Sequence, residues 1–500
     1  MLVSDMTETQ IRKCHERLER FLVDLLEPVG RSERRHWGAV YVRGLLLDGE
    51  RKSVEPMASR LPDGNVQAMQ QFVGQSPWDW QPIWERLARR MTAELEPESA
   101  WAIDDTGFPK QGDHSVGVER QYSGTLGKTG NCQVAVSLHH VGAQGSAALN
   151  WRLYLPESWI GDQERRAEAG IPEEVEFQKK WQLALEMIDE VRGWGLADRI
   201  VVADAGYGDA TEFRDALEAR KLPYAVGVSS QVGVWDRPPK IHIPEYSGRG
   251  QPATRYQYGK QRPTSVRDLA IHAKGWKQIR WREGSKGWLE SRFLAVRVQP
   301  SHGFVDGDPP HKEVWLLVQW PEEEKEPTRY FLCDLPPSTT LRRLVRAAKS
   351  RWKIEQDYLQ LKDELGLDHY EGRNWAGWHH HVSMVMMAHA FLNAGKPAHQ
   401  KKLLGGPCHG RDVRSNMCCS PGPDSAHIAG VPQSSASSSK LNVVILGLHL
   451  HQVGRRTFTS KLLNMPSTQP SGLRPRPPRV SYPLLESQPS AARKSLRGEP

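Results

Sequence analysis

An α/β fold with a mixed central sheet, a helical N-terminal region and a late β-rich insertion is predicted by three features of the 500-residue chain. Residues 1–96 carry apolar residues at helical spacing, and residues 97–230 alternate strands with helices. Residues 231–337 turn to short tryptophan-bearing strands between Gly, Pro and charged loops. At about 150 residues per domain this length holds roughly three structural units and more than one core. Hydrophobic residues at 38% and charged residues at 25% fit a globular protein, and no run approaches the ~18 apolar residues of a membrane span.

Within 1–96, NVQAMQQFV sets Val66, Met69, Phe72 and Val73 at helical spacing, and Ser76-Pro77 is a start signal for WDWQPIWERLARRM. Arg31, Arg34, Arg35, Arg43, Arg51 and Lys52 read either as a solvated face or as phosphate contacts. Three strands follow, WAIDDT, CQVAVSLHH and SAALNWRLYL, joined by glycine-containing turns. A helix over about 172–194 then precedes RIVVADAG, whose apolar run predicts a buried central strand. DATEFRDALEARKL reads as the next helix and YAVGVSS as a fifth strand.

Beyond the insertion, residues 338–395 carry a long helix from about 340 to 365 and a second one in RNWAGWHHHVSMVMMAHAFL. His379, His380 and His381 cannot all face one ion, since successive helical residues point about 100° apart. They read as a polar helix start or as DNA contacts. Residues 396–500 hold 15 basic against 4 acidic residues, 13 of the 35 prolines and none of the 18 tryptophans. So little apolar material builds no core, and the segment reads as a disordered basic arm or a frameshift product. The rest of the chain, with 52 basic and 55 acidic residues, is slightly acidic. Six cysteines without C-x-x-C pairs, and a start (MLVSDMTETQIRK) without an apolar segment, lead us to expect reduced thiols and a place inside the cell.

The chemistry-bearing residues are carboxylates at element ends. Asp104 and Asp105 close the first strand, Asp204 closes the central one, and Glu355 lies on the long helix. Ligands of α/β sheets collect at carboxyl ends of strands, so two such aspartates can converge, and a glutamate packed across that edge would complete a hard-cation site. Arg351, Glu355 and Lys362, separated by 4 and 7 residues, fall within roughly 40° on an ideal helix. An i, i+4 surface salt bridge is the competing explanation of that pattern. The insertion tryptophans Trp235, Trp276, Trp281, Trp288, Trp315 and Trp320 read as core packing or as a platform for an unstacked base.

The strings WAIDDTGFPKQGDHSVGVERQYSGTLGKTGNCQVAVSL, VVADAGYG and RWKIEQDYLQLKDELGLDHYEGRNWAGWHHH resemble those of bacterial insertion-sequence transposases of the DDE type. The resemblance covers about residues 15–395, with the β-rich insertion between the second aspartate and the glutamate. It implies a ribonuclease H-like, integrase-like catalytic core, a DNA-binding helical N-terminal domain, and a triad of Asp105, Asp204 and Glu355 holding two Mg2+ ions, with Mn2+ as a substitute. Asp105 is chosen over Asp104 because the family's aspartate is commonly followed directly by Thr or Ser, here Thr106. The helix also resembles a Tyr-Arg-Glu-Lys signature, with Arg351, Glu355 and Lys362 matching and Ala348 at the Tyr position, where Trp352 is a candidate substitute. Arg351, Lys362 and, in the loop after the first strand, Lys110 would then grip DNA phosphates. Implied partners are double-stranded DNA, as the element's terminal inverted repeats and the target, and a second copy of the chain in the end complex. A nucleoid-associated cytoplasmic location follows. A DNA-end-binding protein that no longer cuts, and a glycosidase using paired carboxylates, are the competing functions.

Overall fold

Five helices open the chain because their apolar residues recur at helical spacing behind polar caps. They are α1 (Glu8–Leu25), α2 (Ser32–Leu46), α3 (Val54–Arg60), α4 (Val66–Gly74) and α5 (Gln81–Leu95). Thr7 and Gln10 form a capping box at α1, and Asn65 caps α4. The computed structural model describes residues 7–95, 100–143, 145–242, 245–251, 257–258, 262–284, 287–301 and 311–394. The basic segment 396–500 lies outside the described residues.

The central sheet begins with β1 (Ala100–Pro109), β2 (Glu119–Ser123), β3 (Lys128–Gly142) and β4 (Gly145–Tyr154). Helices α6 (Glu157–Ile160), α7 (Gln163–Ala169) and α8 (Lys180–Gly193) lead to β5 (Ile200–Ala203), and α9 (Ala205–Gly208) and α10 (Thr211–Ala219) lead to β6 (Tyr224–Val228). Strands β4, β3 and β1 form an antiparallel meander, and β5 and β6 run parallel to β1 beside it. The order β4-β3-β1-β5-β6 is the ribonuclease H-like arrangement expected from the sequence.

The insertion contributes β7 (Gly233–Trp235), β8 (Ile241–His242), β9 (Gln257–Tyr258), β10 (Thr264–Ser265), α11 (Val266–His272), β11 (Lys277–Gly284), β12 (Gly287–Pro300), β13 (Val314–Trp320) and β14 (Arg329–Asp334). Its last three strands continue the same sheet, because β14 pairs antiparallel with β6, β13 with β14 and β12 with β13. Alternation then sorts side chains onto two faces. Trp101, Ile103, Val201, Ala203 and Val226 join the core that includes α8 and α10. Ala100, Ala102, Val202 and Ala225 join a second core with the helices that follow the insertion.

Those helices are α12 (Leu341–Lys349), α13 (Trp352–Leu359) and α14 (Trp375–Ala394). The single long helix expected over 340–365 is interrupted twice: α12 and α13 are separate around Ser350 and Arg351, and a π-helical turn over Gln360–Glu364 follows α13. An i→i+5 turn is wider than an α turn, so residues beyond it leave the face that α spacing assigns them. The histidines also depart from expectation. His379, His380 and His381 are buried, because α1, α2, α4 and α5 pack around α14 and supply aromatic partners. His380 stacks on Trp78 at 3.7 Å and His379 on Trp80 at 4.3 Å, while His381 shares a hydrogen bond of 2.9 Å with the Tyr41 hydroxyl. Burial lowers the pKa of His379 and of His381 to about 3, so the rings are neutral.

Candidate active site

Asp104 and Asp105 are adjacent in β1 and therefore point to opposite faces of the sheet. Parallel pairing sets Ala102 opposite Val202, and both belong to the core shared with α12 and α13. Two residues further along each strand, on that same face, stand Asp104 and Asp204. Asp204 caps the short α9, its carboxylate accepting from the Gly206 amide at 2.9 Å. The α9 turn lies directly on β6, where a Cβ at Gly208 would come within 1.9 Å of the Gly227 carbonyl oxygen. Only glycine permits that approach, and it holds the Asp204 turn against the sheet edge.

Helix α13 crosses this face. The Arg351 guanidinium donates from one nitrogen to Asp104 and from the other to Glu355, the latter at 3.3 Å. Its pKa is raised, chiefly by Asp104 and further by Asp204 and Glu355. Asp104 is pushed up to about 7 by burial, which outweighs Arg351; Asp204 and Asp105 raise it further. The Arg351 guanidinium thus bridges Asp104 and Glu355, and Asp204 stands on the same face as Asp104. Glu355 is 65% exposed and reaches the group from the solvent side.

Asp105 faces the other way. Its carboxylate accepts from Lys180 of α8 at 2.8 Å and from the Tyr207 hydroxyl at 3.4 Å. Of the three carboxylates expected from the sequence, Asp204 and Glu355 are therefore brought to one face, where the aspartate beside them is Asp104.

Lys362 lies in the π-helical turn, buried, and donates to the Gly107 carbonyl at 2.7 Å and the Thr125 hydroxyl at 3.2 Å. Lys110 donates to the Tyr370 carbonyl at 2.6 Å. Burial lowers the pKa of each to about 8. Neither ammonium joins Arg351, since backbone carbonyls hold both. Lys52 is likewise buried on the carbonyls of Leu45 and Leu47, and Arg43 and Arg51 pair with Glu19 and Glu371. Trp352, the candidate substitute for the missing Tyr, lies under the Arg282 guanidinium at 3.7 Å. Among the insertion tryptophans, Trp235 is buried and Trp276 packs on Trp320, whereas Trp288 is 56% exposed.

The family described as DDE superfamily endonuclease matches residues 24–288, just over half of the chain. The chain belongs to the DDE superfamily endonucleases. Asp104, Asp105 and Asp204 fall inside the matched residues and Glu355 beyond them. The chain is 25% identical over 334 residues to a probable transposase for insertion sequence element IS701 of Microchaete diplosiphon, covering 65% of this chain and 75% of that protein. The resemblance read from the three strings is thereby borne out. A piggyBac transposase, solved by cryo-EM as a synaptic complex with hairpin DNA, aligns with 87% of this chain and 73% of its own at 11% identity and a TM-score of 0.38. No helix among the described residues is long and apolar enough to cross a membrane.

Sequence reasoning weighed Asp104 against Asp105 and chose Asp105, and it missed the groups that hold α13 to the sheet. The signal for Asp104 was alternation: Ala100, Ala102 and Asp104 form one series, Trp101, Ile103 and Asp105 the other, and Val202 and Asp204 match the first. That match needs the β1–β5 register, which no local pattern supplies.

Proposed function

We propose that this DDE endonuclease is an insertion-sequence transposase that cuts its element's ends and joins them to target DNA. The observation that carries the reading is that Arg351 bridges Asp104 and Glu355 on the face where Asp204 also stands, in a chain of that family. Among the described residues, no three acidic, histidine or cysteine side chains enclose an ion as they stand, and the Arg351 guanidinium lies between Asp104 and Glu355. The donor set nonetheless fits a hard divalent cation, since all three side chains offer carboxylate oxygens and their mutual repulsion calls for positive charge. Asp104, Asp204 and Glu355 would hold Mg2+ or Mn2+, with Asp104 in the role that the sequence assigned to Asp105. Bound there, the ions supply Lewis-acid stabilisation of the attacking and leaving oxygens.

The chain's own groups do the rest. Arg351 presents a planar fork that pairs with two phosphate oxygens as it now pairs with two carboxylates. The exposed Glu355 leaves this side open to a DNA backbone. In the first step water adds to the scissile phosphorus and the 3′ oxygen departs with the bonding electrons and takes up a proton. In the second, that 3′ hydroxyl adds to a target phosphodiester and releases the target's own 3′ oxygen. Terminal inverted repeats, a dimer pairing two ends and work at the nucleoid in the cytoplasm belong to the same reading; Lys362 and Lys110 would serve as further phosphate contacts on leaving the carbonyls that hold them in the free protein.

The test is to incubate the full-length protein with a labelled duplex spanning the element's end, with Mg2+ or with chelator. A metal-dependent nick at the boundary is expected, lost in Asp204→Ala and in Glu355→Ala while end binding persists. Near-wild-type cleavage by either variant would sink the carboxylate assignment. Binding without any nick by the wild type would favour a DNA-end-binding protein that does not cut.

A further inference from the structure

Helix α13 has only two turns, and the π-helical turn after it adds no continuous α ladder to stiffen it. So short a helix is not stable by itself, so its rotation about its own axis is set by tertiary attachments. Three side chains supply them, Lys353 and Asp357 on the side away from Glu355 and Tyr358 nearer to it. Lys353 donates to the Gly142 carbonyl, and the Tyr358 hydroxyl meets Ser137 at 2.6 Å. Between them Asp357, buried and one turn beyond Lys353, receives the Ser146 hydroxyl at 2.7 Å and lies 2.7 Å from Nδ1 of His139, with His389 at 3.8 Å. The sheet partners are themselves tied to the site. Ser137 is paired opposite Asp104, and His139 opposite Ala102.

A buried carboxylate is costly unless its oxygens are fully partnered, and here both are. A purely apolar contact would let α13 turn by several degrees at little cost. The Asp357 contacts are directional and resist that turn. We infer that Asp357, clamped by His139 and Ser146, is a positioning residue that fixes the rotation of α13 and so carries Glu355 to its place beside Asp104 and Asp204. The inference rests on the reading of these three carboxylates as the metal-holding set. Groups that orient ligands without touching the ion typically alter metal affinity by about 10- to 100-fold when removed.

The experiment titrates Mn2+ into the full-length protein, well below its melting temperature, and follows binding by electron paramagnetic resonance. Asp357→Asn and His139→Leu should each weaken Mn2+ binding by about tenfold. His139→Asn, whose amide can donate from the place of Nδ1, should restore it. A merely structural role predicts the same affinity in every variant that folds, and that result overturns the inference. If Asp357→Asn does not fold, His139→Leu and Ser146→Ala carry the same test. Glu355→Gln is the reference: if it leaves Mn2+ binding unchanged, the three-carboxylate reading itself fails. If it weakens binding while the Asp357, His139 and Ser146 variants do not, only the positioning role fails.

Discussion

Helices α13 and α14 lie close together in the chain and are built on opposite principles. In α14, 17 of 20 residues are buried, and even His379 and His380 lie in its core, stacked on Trp80 and Trp78. In α13 only Ile354 and Asp357 of eight residues are buried, and the helix is held by directional polar bonds rather than by an apolar surround. The contrast teaches that one helix is fixed by packing on every side and the other by a few directional bonds. A helix apolar on every side is fixed by packing and carries no reactive group to solvent. Helix α13, which leaves Glu355 exposed, lacks that surround and is held by polar anchors in its place.

The largest effect that would break the comparison is at β1. Asp104→Asn should abolish end cleavage, a loss of at least about a thousandfold if it removes a group acting on the transition-state charge. Asp105→Asn, on the opposite face, should lose far less. Parallel single-turnover assays decide the matter, and the reverse ranking would return the first aspartate to Asp105. Next comes packing. Trp84, fully buried and donating to the Ser383 hydroxyl of α14 at 2.7 Å, should cost about 3–5 kcal/mol when replaced by Ala. Denaturant unfolding measures that loss, and Mn2+ affinity of the folded fraction should not change.

The α14 histidines give a pH dependence. His379 and His381 have folded pKa values of about 3, below the ordinary 6.5, so the unfolded chain binds their protons first. Their contribution to stability is fully present above pH 6.5 and is lost as pH falls from there toward 3. Unfolding midpoints at stepped pH should show the decline, and His379→Gln should flatten it. The smallest effect is expected at Glu355. Its side chain is 65% exposed, so Glu355→Gln should shift stability by no more than about 0.5 kcal/mol while cleavage disappears. A large shift in melting temperature would mean that α13 relies on Glu355 for its fold, against the division drawn here.

Much of the fold was legible because it follows from local periodicity. The runs WAIDDT, CQVAVSLHH and RIVVADAG became β1, β3 and β5, and the mixed order of the sheet follows from three strands, a helix, a strand, a helix and a strand. The insertion tryptophans and short strands were visible too. That β12–β14 extend the same sheet was not, since strand pairing at long range leaves no local mark. The 3, 4 and 7 spacing around Glu355 correctly joined Arg351 to Glu355. For Lys362 it did not show the π-helical turn in which that residue lies, nor the Gly107 carbonyl that holds its ammonium.

By itself the sequence determined the class of fold, the family resemblance, and which carboxylates stand at element ends, since each is written in residue types at short spacing. Tertiary structure alone decided that Asp104 rather than Asp105 shares a face with Asp204 and Glu355, that the lysines serve carbonyls, and that the histidines lie in the core. The physical reason is the same in each case. A side chain's face, partner and protonation depend on strand register and on which distant helix covers it, and both are set only when the sheet and its layers close.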